Sequence, residues 1–179
     1  MRRALGMIEL NSIARGIRAT DEMLKASQVD LVRSSTVCPG KYIVIIAGEV
    51  GEVEASMKTG KQLAATYTVN TLLIPNIHEQ LVPALMGTTQ VVKPEALGVL
   101  EFYSIASAIT AADTAAKAAQ IQLIEVRIGY AIGGKGFVTL TGDVGAVKAA
   151  VSAAEDDRDL LVETTVIPRP AMPLTDALM

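Results

Sequence analysis

The chain has very few of the cysteine and histidine residues that disulfides and zinc sites need. Its 179 residues include one cysteine, one histidine and no tryptophan. A single thiol excludes a disulfide within the chain and indicates a reducing compartment. A lone histidine excludes a histidine pair or a Cys/His cluster for zinc. The Gly-x-Ser-x-Gly turn of many serine hydrolases is also missing. The counts disfavour a zinc site, and they leave a Ser-His-Asp triad possible only without that turn.

Aromatic residues and net positive charge are scarce as well. Aromatics make up 3% of the chain and the formal net charge is −3, so nucleic acid is not an expected partner. No run of about 18 apolar residues occurs, so no membrane-spanning segment is predicted. Half of the residues are nevertheless hydrophobic, and the mean hydropathy is +0.38. This surplus predicts apolar surface that is buried between subunits.

The sequence repeats itself after about 92 to 94 residues. Ala4-Leu5-Gly6 returns as Ala96-Leu97-Gly98, Ser12-Ile13-Ala14 as Ser104-Ile105-Ala106, and Gly48-Glu49-Val50-Gly51 as Gly142-Asp143-Val144-Gly145. Such a period is too long for a solenoid and indicates a duplicated domain. We expect domains at 1–90 and 95–179, with a linker at 87–95.

Each half predicts the order β-α-β-β-α-β. In the first half, strands are expected at 4–10, 29–37, 42–47 and 68–74, with one helix from Ser12 to about Ser27 and another from Glu49. Ile13, Ile17 and Leu24 share one face of the first helix. A short helix at 78–86 is limited by Pro83. This order predicts an α+β, ferredoxin-like fold, an antiparallel sheet with both helices on one face.

Two loops join corresponding strands of the halves. The first, Cys38-Pro39-Gly40-Lys41, carries the only cysteine at an expected exposed tip, and its counterpart is Ile132-Gly133-Gly134-Lys135. The second loop also satisfies Gly-x-x-x-x-Gly-Lys from Gly129. Gly136 stands where a phosphate-binding loop needs Ser or Thr, and the flanking run predicts a strand rather than a helix. Nucleotide binding is therefore disfavoured.

Four motifs resemble the bacterial microcompartment shell domain: Gly-Met-Ile-Glu-Leu before Ser12, Asp21-x-x-x-Lys25, Gly48-Glu49-Val50-Gly51-x-Val53, and Ile167-Pro168-Arg169-Pro170. Two copies in one chain resemble the tandem-domain shell proteins. That resemblance implies a homotrimer that imitates a hexamer, a pseudohexamer, and that tiles the shell together with other shell proteins. It also implies a cytoplasmic location, in the microcompartment shell.

The cysteine loop is most similar to that of the propanediol-utilisation type. This resemblance implies that Cys38 from three subunits holds one [4Fe–4S] cluster at a central pore, for electron exchange with lumenal or cytosolic redox enzymes. The implied pore loops comprise Val37, Cys38, Pro39 and Gly40 in the first half and Ile132, Gly133 and Gly134 in the second. Three alternatives stay open: Cys38 as a small core residue, an open pore for a small metabolite, and a soluble ligand-binding regulator.

The same resemblance implies tile-edge contacts at Lys25, Lys117 and Arg169. The simpler interpretation of Lys25 and Lys117 is an i,i+4 ion pair with Asp21 or Asp113. The first half has Pro75-Asn76-Ile77-His78 where the second has Pro-Arg, so it lacks the edge arginine. His78 is expected to cap the short helix. The acidic run at 155–159 is expected to be a solvated loop.

Overall fold

The computed structural model describes residues 3–90, 95–155 and 160–178, and the chain divides into two compact units, Met1–Ile77 and His78–Met179. The predicted acidic loop and the linker lie partly outside the described residues. No helix in the described ranges is long and apolar enough to cross a membrane.

Unit 1 has the predicted element order. A four-stranded antiparallel sheet, ordered β2-β3-β1-β4, carries both helices on one face. The elements are β1 (Ala4–Leu10), α1 (Ile13–Ala26), β2 (Asp30–Val37), β3 (Lys41–Gly48), α2 (Val50–Ala64), a short 3₁₀ turn (Ala65–Tyr67) and β4 (Thr68–Ile74).

Local chemistry sets the helix positions in unit 1. The Ser12 side chain accepts a hydrogen bond from the Arg15 N–H, which caps α1 as expected. Gly60 of α2 lets α1 approach closely, because a Cβ there would lie 2.4 Å from the Met23 sulfur. Alternate residues of β1 and β3, among them Ile8 and Val44, complete the core beneath the helices.

The apolar face predicted for α1 is the exposed one. Ile13, Ile17 and Leu24 are all exposed, whereas the buried residues of α1 are Gly16, Ala19, Thr20 and Met23. Three of these four buried residues are small, and the long side chain of Met23 fits because it packs against Gly60 of α2. The spacing of the large apolar residues places them on one face of α1, as expected, but it does not show which face packs on the sheet.

Unit 2 repeats this architecture, with sheet order β6-β7-β5-β8. Two short helices lie before and after the repeat. The elements are α3 (Leu81–Met86), β5 (Ala96–Phe102), α4 (Ile105–Ala118), β6 (Gln122–Ile128), β7 (Gly136–Gly142), α5 (Val144–Ala153), β8 (Leu161–Pro168) and α6 (Met172–Leu178). The α+β fold of two tandem β-α-β-β-α-β domains is confirmed.

The segment 78–90 follows β4 in the chain but packs within unit 2, against β6 and α4. Its helix begins at Leu81, and Pro83 fits in the first turn, where a backbone N–H has no partner in the helix. The His78 ring accepts the Gln80 N–H at 3.3 Å just before the helix, close to the expected capping role.

Candidate functional site

The cysteine loop is a tight connection between the edge strand β2 and the central strand β3. Val37 pairs with Lys41, so Cys38, Pro39 and Gly40 alone form the turn. Gly40 has φ +71°, a left-handed conformation that suits glycine. Val37 is buried, while Cys38 is half-buried rather than fully exposed as the sequence suggested. Cys38 is therefore partly covered at the start of the turn, and Pro39 and Gly40 are exposed.

An ion pair fixes the base of this loop. Lys41 Nζ contacts Glu9 Oε1 of the neighbouring strand β1, and Glu9 is buried. A buried carboxylate needs such a partner, because its desolvation is costly. The pair ties the residue that follows the cysteine turn to the centre of the sheet.

A chain of hydroxyl groups joins α1 to the strands behind the loop. Thr20 Oγ1 lies 3.0 Å from Ser34 Oγ, which lies 2.8 Å from the Tyr42 hydroxyl. The Tyr42 ring covers Gly16, where a Cβ would lie only 2.4 Å from a ring carbon. In the second half the large strand residue is missing. Ala108 stands at the helix position of Gly16, and Gly136 stands at the strand position of Tyr42. The cysteine loop therefore has a support that its counterpart lacks.

The second loop, between β6 and β7, is longer and rich in left-handed residues. Gly129, Ala131, Gly133 and Gly134 all have φ between +59° and +81°. The Gly129 N–H donates to the Lys135 carbonyl at 2.8 Å, which closes the loop. The strand β7 follows it, so the helix of a phosphate-binding loop is absent at this position, as expected from the sequence.

A cleft of about 640 Å³ lies beside this second loop. Lys135 pairs with Glu101 there, as Lys41 does with Glu9, but this pair is more exposed. The hydrogen bond that Lys135 donates to the Glu101 carboxylate raises the pKa of Lys135 above its usual range. The cleft lining, which joins apolar side chains to this charged pair, comprises Val99, Glu101, Ala131, Ile132, Gly133, Lys135 and Phe137.

The two expected edge lysines lie in different surroundings. Lys25 pairs with Asp21 on the surface of α1, and this hydrogen bond raises the pKa of Lys25. Lys117 pairs with Asp113 at 2.5 Å, but Asp113 is buried and its other oxygen accepts the His78 N–H at 2.7 Å. The i,i+4 pairs are thus present in both halves, and the one in unit 2 also anchors the segment 78–90.

Arg169 is exposed and has φ +50°, an uncommon backbone conformation for a residue with a side chain. Its N–H donates to the Glu95 carbonyl at 3.0 Å, which holds the turn after β8. This geometry presents the guanidinium to solvent, where a neighbouring molecule can reach it.

No group of three or more His, Cys, Asp or Glu side chains that could hold a metal ion occurs among residues 3–90, 95–155 and 160–178. Cys38 is the only cysteine of the chain and belongs to no such group. The sequence interpretation did not assign a role to Glu9 and Glu101. The sequence contains a signal for these two ion pairs, because both glutamates and both loop lysines recur at matching positions of the repeat.

Residues 4–77 and 96–170 each match the BMC domain, so the chain belongs to the family of bacterial microcompartment shell proteins. Together with the fold and the paired loops, this makes it a structural shell protein of a bacterial microcompartment with two tandem domains.

Individual relatives support this assignment over the whole chain. The chain is 43% identical over 173 residues to the bacterial microcompartment shell protein PduT of Citrobacter freundii, covering 95% of this chain and 94% of PduT. A solved microcompartment protein from Desulfitobacterium hafniense DCB superposes with a TM-score of 0.94 at 49% identity, covering 98% of this chain and 99% of that one. The carboxysome shell protein CcmK2 of Thermosynechococcus vestitus is 35% identical over 82 residues, covering 44% of this chain and 80% of CcmK2.

Proposed function

We propose that this shell protein is a trimeric facet tile, without enzymatic activity, whose central pore binds a [4Fe–4S] cluster through Cys38 of each subunit. The observation that carries the proposal is the position of Cys38. It is the only cysteine of the chain, and it lies half-buried in a tight turn at the end of a sheet. The two BMC domains of the chain and its similarity to PduT of C. freundii support the proposal.

The cysteine loop supplies the kind of ligand that an iron–sulfur group takes. Iron–sulfur clusters take thiolate ligands, and Cys38 supplies a thiol that is not in a disulfide. A Cβ added at Gly40 would meet no atom within 4 Å, so open space adjoins the turn. One chain offers a single thiolate, so the proposed site needs several chains, which we propose meet at a threefold axis. When bound, the cluster would supply one-electron transfer across the shell.

The chain's own part is to hold and shield the thiolates. Gly40 completes the turn that begins at Cys38, while the Glu9–Lys41 pair fixes the strand behind it. Lumenal or cytosolic redox enzymes would be the electron partners, and neighbouring shell proteins would contact the tile edges through Lys25, Lys117 and Arg169. The pore loops in this proposal are Val37, Pro39 and Gly40 with Ile132, Gly133 and Gly134.

Iron and acid-labile sulfide per chain, measured on protein purified without air, test the cluster. We expect about four irons per trimer, an electron paramagnetic resonance signal after reduction, and loss of both in Cys38→Ser. Iron content that is unchanged in Cys38→Ser would refute the ligand assignment. A Val37→Ala variant serves as the loop control, because it leaves the thiol in place.

A second candidate is a tile whose pore conducts a small polar metabolite. The cleft beside the second loop favours it, because Glu101, Lys135 and the backbone of a glycine-rich loop face one space. Protein that is colourless and free of iron, and that binds a small polar solute in a Lys135-dependent manner, would support this function over the first. A soluble regulator has no such observation in its favour.

A further inference from the structure

Equivalent positions of the two units differ sharply in burial. Ile17 of α1 exposes 56% of its surface, but its counterpart Ile109 exposes none. Leu31 of β2 exposes 43%, and its counterpart Leu123 again exposes none. We call the exposed set the unit 1 apolar surface, which consists of Ile13, Ile17, Leu24 and Leu31. A monomer rarely exposes such a group of neighbouring aliphatic side chains on one element pair without a partner.

In unit 2 the edge at the corresponding strand is covered by the segment 78–90. Leu81, Val82, Ala84 and Leu85 of α3 are buried. Gln80 satisfies the open edge of β6, because its amide accepts the Leu123 N–H at 2.7 Å and donates to the Ile121 carbonyl at 3.0 Å. Edge strands need cover of this kind to stay unpaired with other strands.

His78, the first residue of the segment 78–90, contacts the buried Asp113. His78 donates its backbone N–H to Asp113, whose side chain is 6% exposed. The counterpart Asp21 is 58% exposed and contacts Lys25 alone in the part of the chain that the structure describes. The surface of unit 1 that corresponds to the covered surface of unit 2 therefore has Asp21 as a hydrogen-bond acceptor, the edge of β2 and the unit 1 apolar surface. In the described part of unit 1, no segment equivalent to 78–90 covers it.

The chain contains a second copy of the covering segment. Leu81-Val82-Pro83-Ala84-Leu85-Met86 recurs as Leu174-Thr175-Asp176-Ala177-Leu178-Met179, at the matching distance after β8. In the described part of α6, only Thr175 is buried, and Leu174 exposes 40%. Its counterpart Leu81 is fully buried. Two complementary exposed surfaces thus occur on one chain.

We infer that α6 of one chain docks onto the unit 1 apolar surface of a second copy, as the segment 78–90 docks onto unit 2. The Ala171 N–H, which corresponds to that of His78, is the donor for Asp21 of the other copy. Pro173 replaces Gln80, so the β2 edge gains apolar cover without the two amide hydrogen bonds. The contact uses different surfaces on the two copies and closes a ring if the rotation allows. It deepens the proposed trimer by naming a contact that closes it, and it is independent of the cluster.

The competing position for α6 is its own unit, where Leu178 lines a cleft of about 410 Å³ with Ile124 and Arg127. Cysteine pairs separate the two positions in a Cys38→Ser background. The test pair is Asp30→Cys with Met172→Cys. The control pair is the matching Gln122→Cys with Glu79→Cys, two positions that line one cleft of unit 2. A short bis-maleimide serves as the linker.

We expect the test pair to join separate chains into multi-chain products on a denaturing gel, and the control pair to link within one chain. Mixing two differently tagged proteins, one with each single cysteine of the test pair, is expected to give a mixed product. Single-chain products from the test pair, or no product while the control reacts, would overturn the inference.

Light scattering of the unmodified protein measures its mass. That mass distinguishes a wrong α6 contact from a wrong proposal of a trimeric tile. A three-chain mass without cross-linking of the test pair refutes the contact and leaves the tile intact. A single-chain mass refutes the trimer itself. As a second readout, we expect Leu174→Asp to weaken association at least tenfold. Tyr103→Asp, another exposed apolar residue outside this contact, is the control and is expected to leave association unchanged.

Discussion

The lysine after the cysteine turn offers a sharp test of how the loop is held. Replacing Lys41 by methionine keeps the aliphatic stem but removes the charge that faces Glu9. The Glu9 side chain is 5% exposed and that of Lys41 is 21% exposed. Loss of one partner of a buried pair leaves an uncompensated charge, which costs about 3–5 kcal/mol. We therefore expect Lys41→Met to lose about that much free energy of unfolding.

The repeat supplies the matched control. Lys135→Met removes the equivalent charge from Glu101, but the two side chains of that pair are 33% and 36% exposed. Water screens such a pair, so we expect a clearly smaller loss than for Lys41→Met. The double variant Glu9→Gln with Lys41→Met is expected to recover much of the loss, because no buried charge then remains.

Urea unfolding followed by circular dichroism, at one protein concentration, measures these differences. Hydrogen exchange of peptides from β1 and β3 assigns the loss to unit 1. Equal losses for Lys41→Met and Lys135→Met would refute the argument, since both variants remove the same chemical group. A double variant no more stable than Lys41→Met would also contradict it.

Three further predictions concern packing, edge cover and pH. Gly16→Ala should lower the free energy of unfolding by about 1–3 kcal/mol in a melting or urea assay, because its Cβ would lie 2.4 Å from the Tyr42 ring; an unchanged stability would contradict this close packing. Gln80→Ala leaves a strand N–H and a carbonyl without this amide, so we expect a loss of about 1–3 kcal/mol and faster hydrogen exchange in β6, while unchanged exchange would count against the edge role. The raised pKa of Lys135 means that its pair with Glu101 stabilises the fold fully below the ordinary lysine pKa, about 10.4, and loses that contribution as pH rises through the raised value. As the pH rises through this range, the urea midpoint should fall less in Glu101→Gln than in the unmodified protein. The same pH dependence of the midpoint in both proteins would contradict a stabilising Lys135–Glu101 pair.

Much of the fold could be predicted from the sequence because its signals are local. Ser12 and Ser104 cap their helices as expected, and β1 and β4 have the predicted bounds. The cysteine turn was located because Pro39 and Gly40 interrupt two strand-like runs. Helical periodicity grouped Ile13, Ile17 and Leu24 on one face of α1, but periodicity does not show which side of a helix faces the core.

The sequence by itself determined the duplication, the order of elements in each half, the two loops and the single thiol. These features depend on residue spacing along the chain. Only the tertiary structure decided that Asp113 is buried while Asp21 is exposed, and that the segment 78–90 packs in unit 2. The two halves carry the same Asp-x-x-x-Lys motif, so the local sequence predicts the same environment for both aspartates. Burial depends on what packs against a surface from distant parts of the chain, and the local pattern does not encode it.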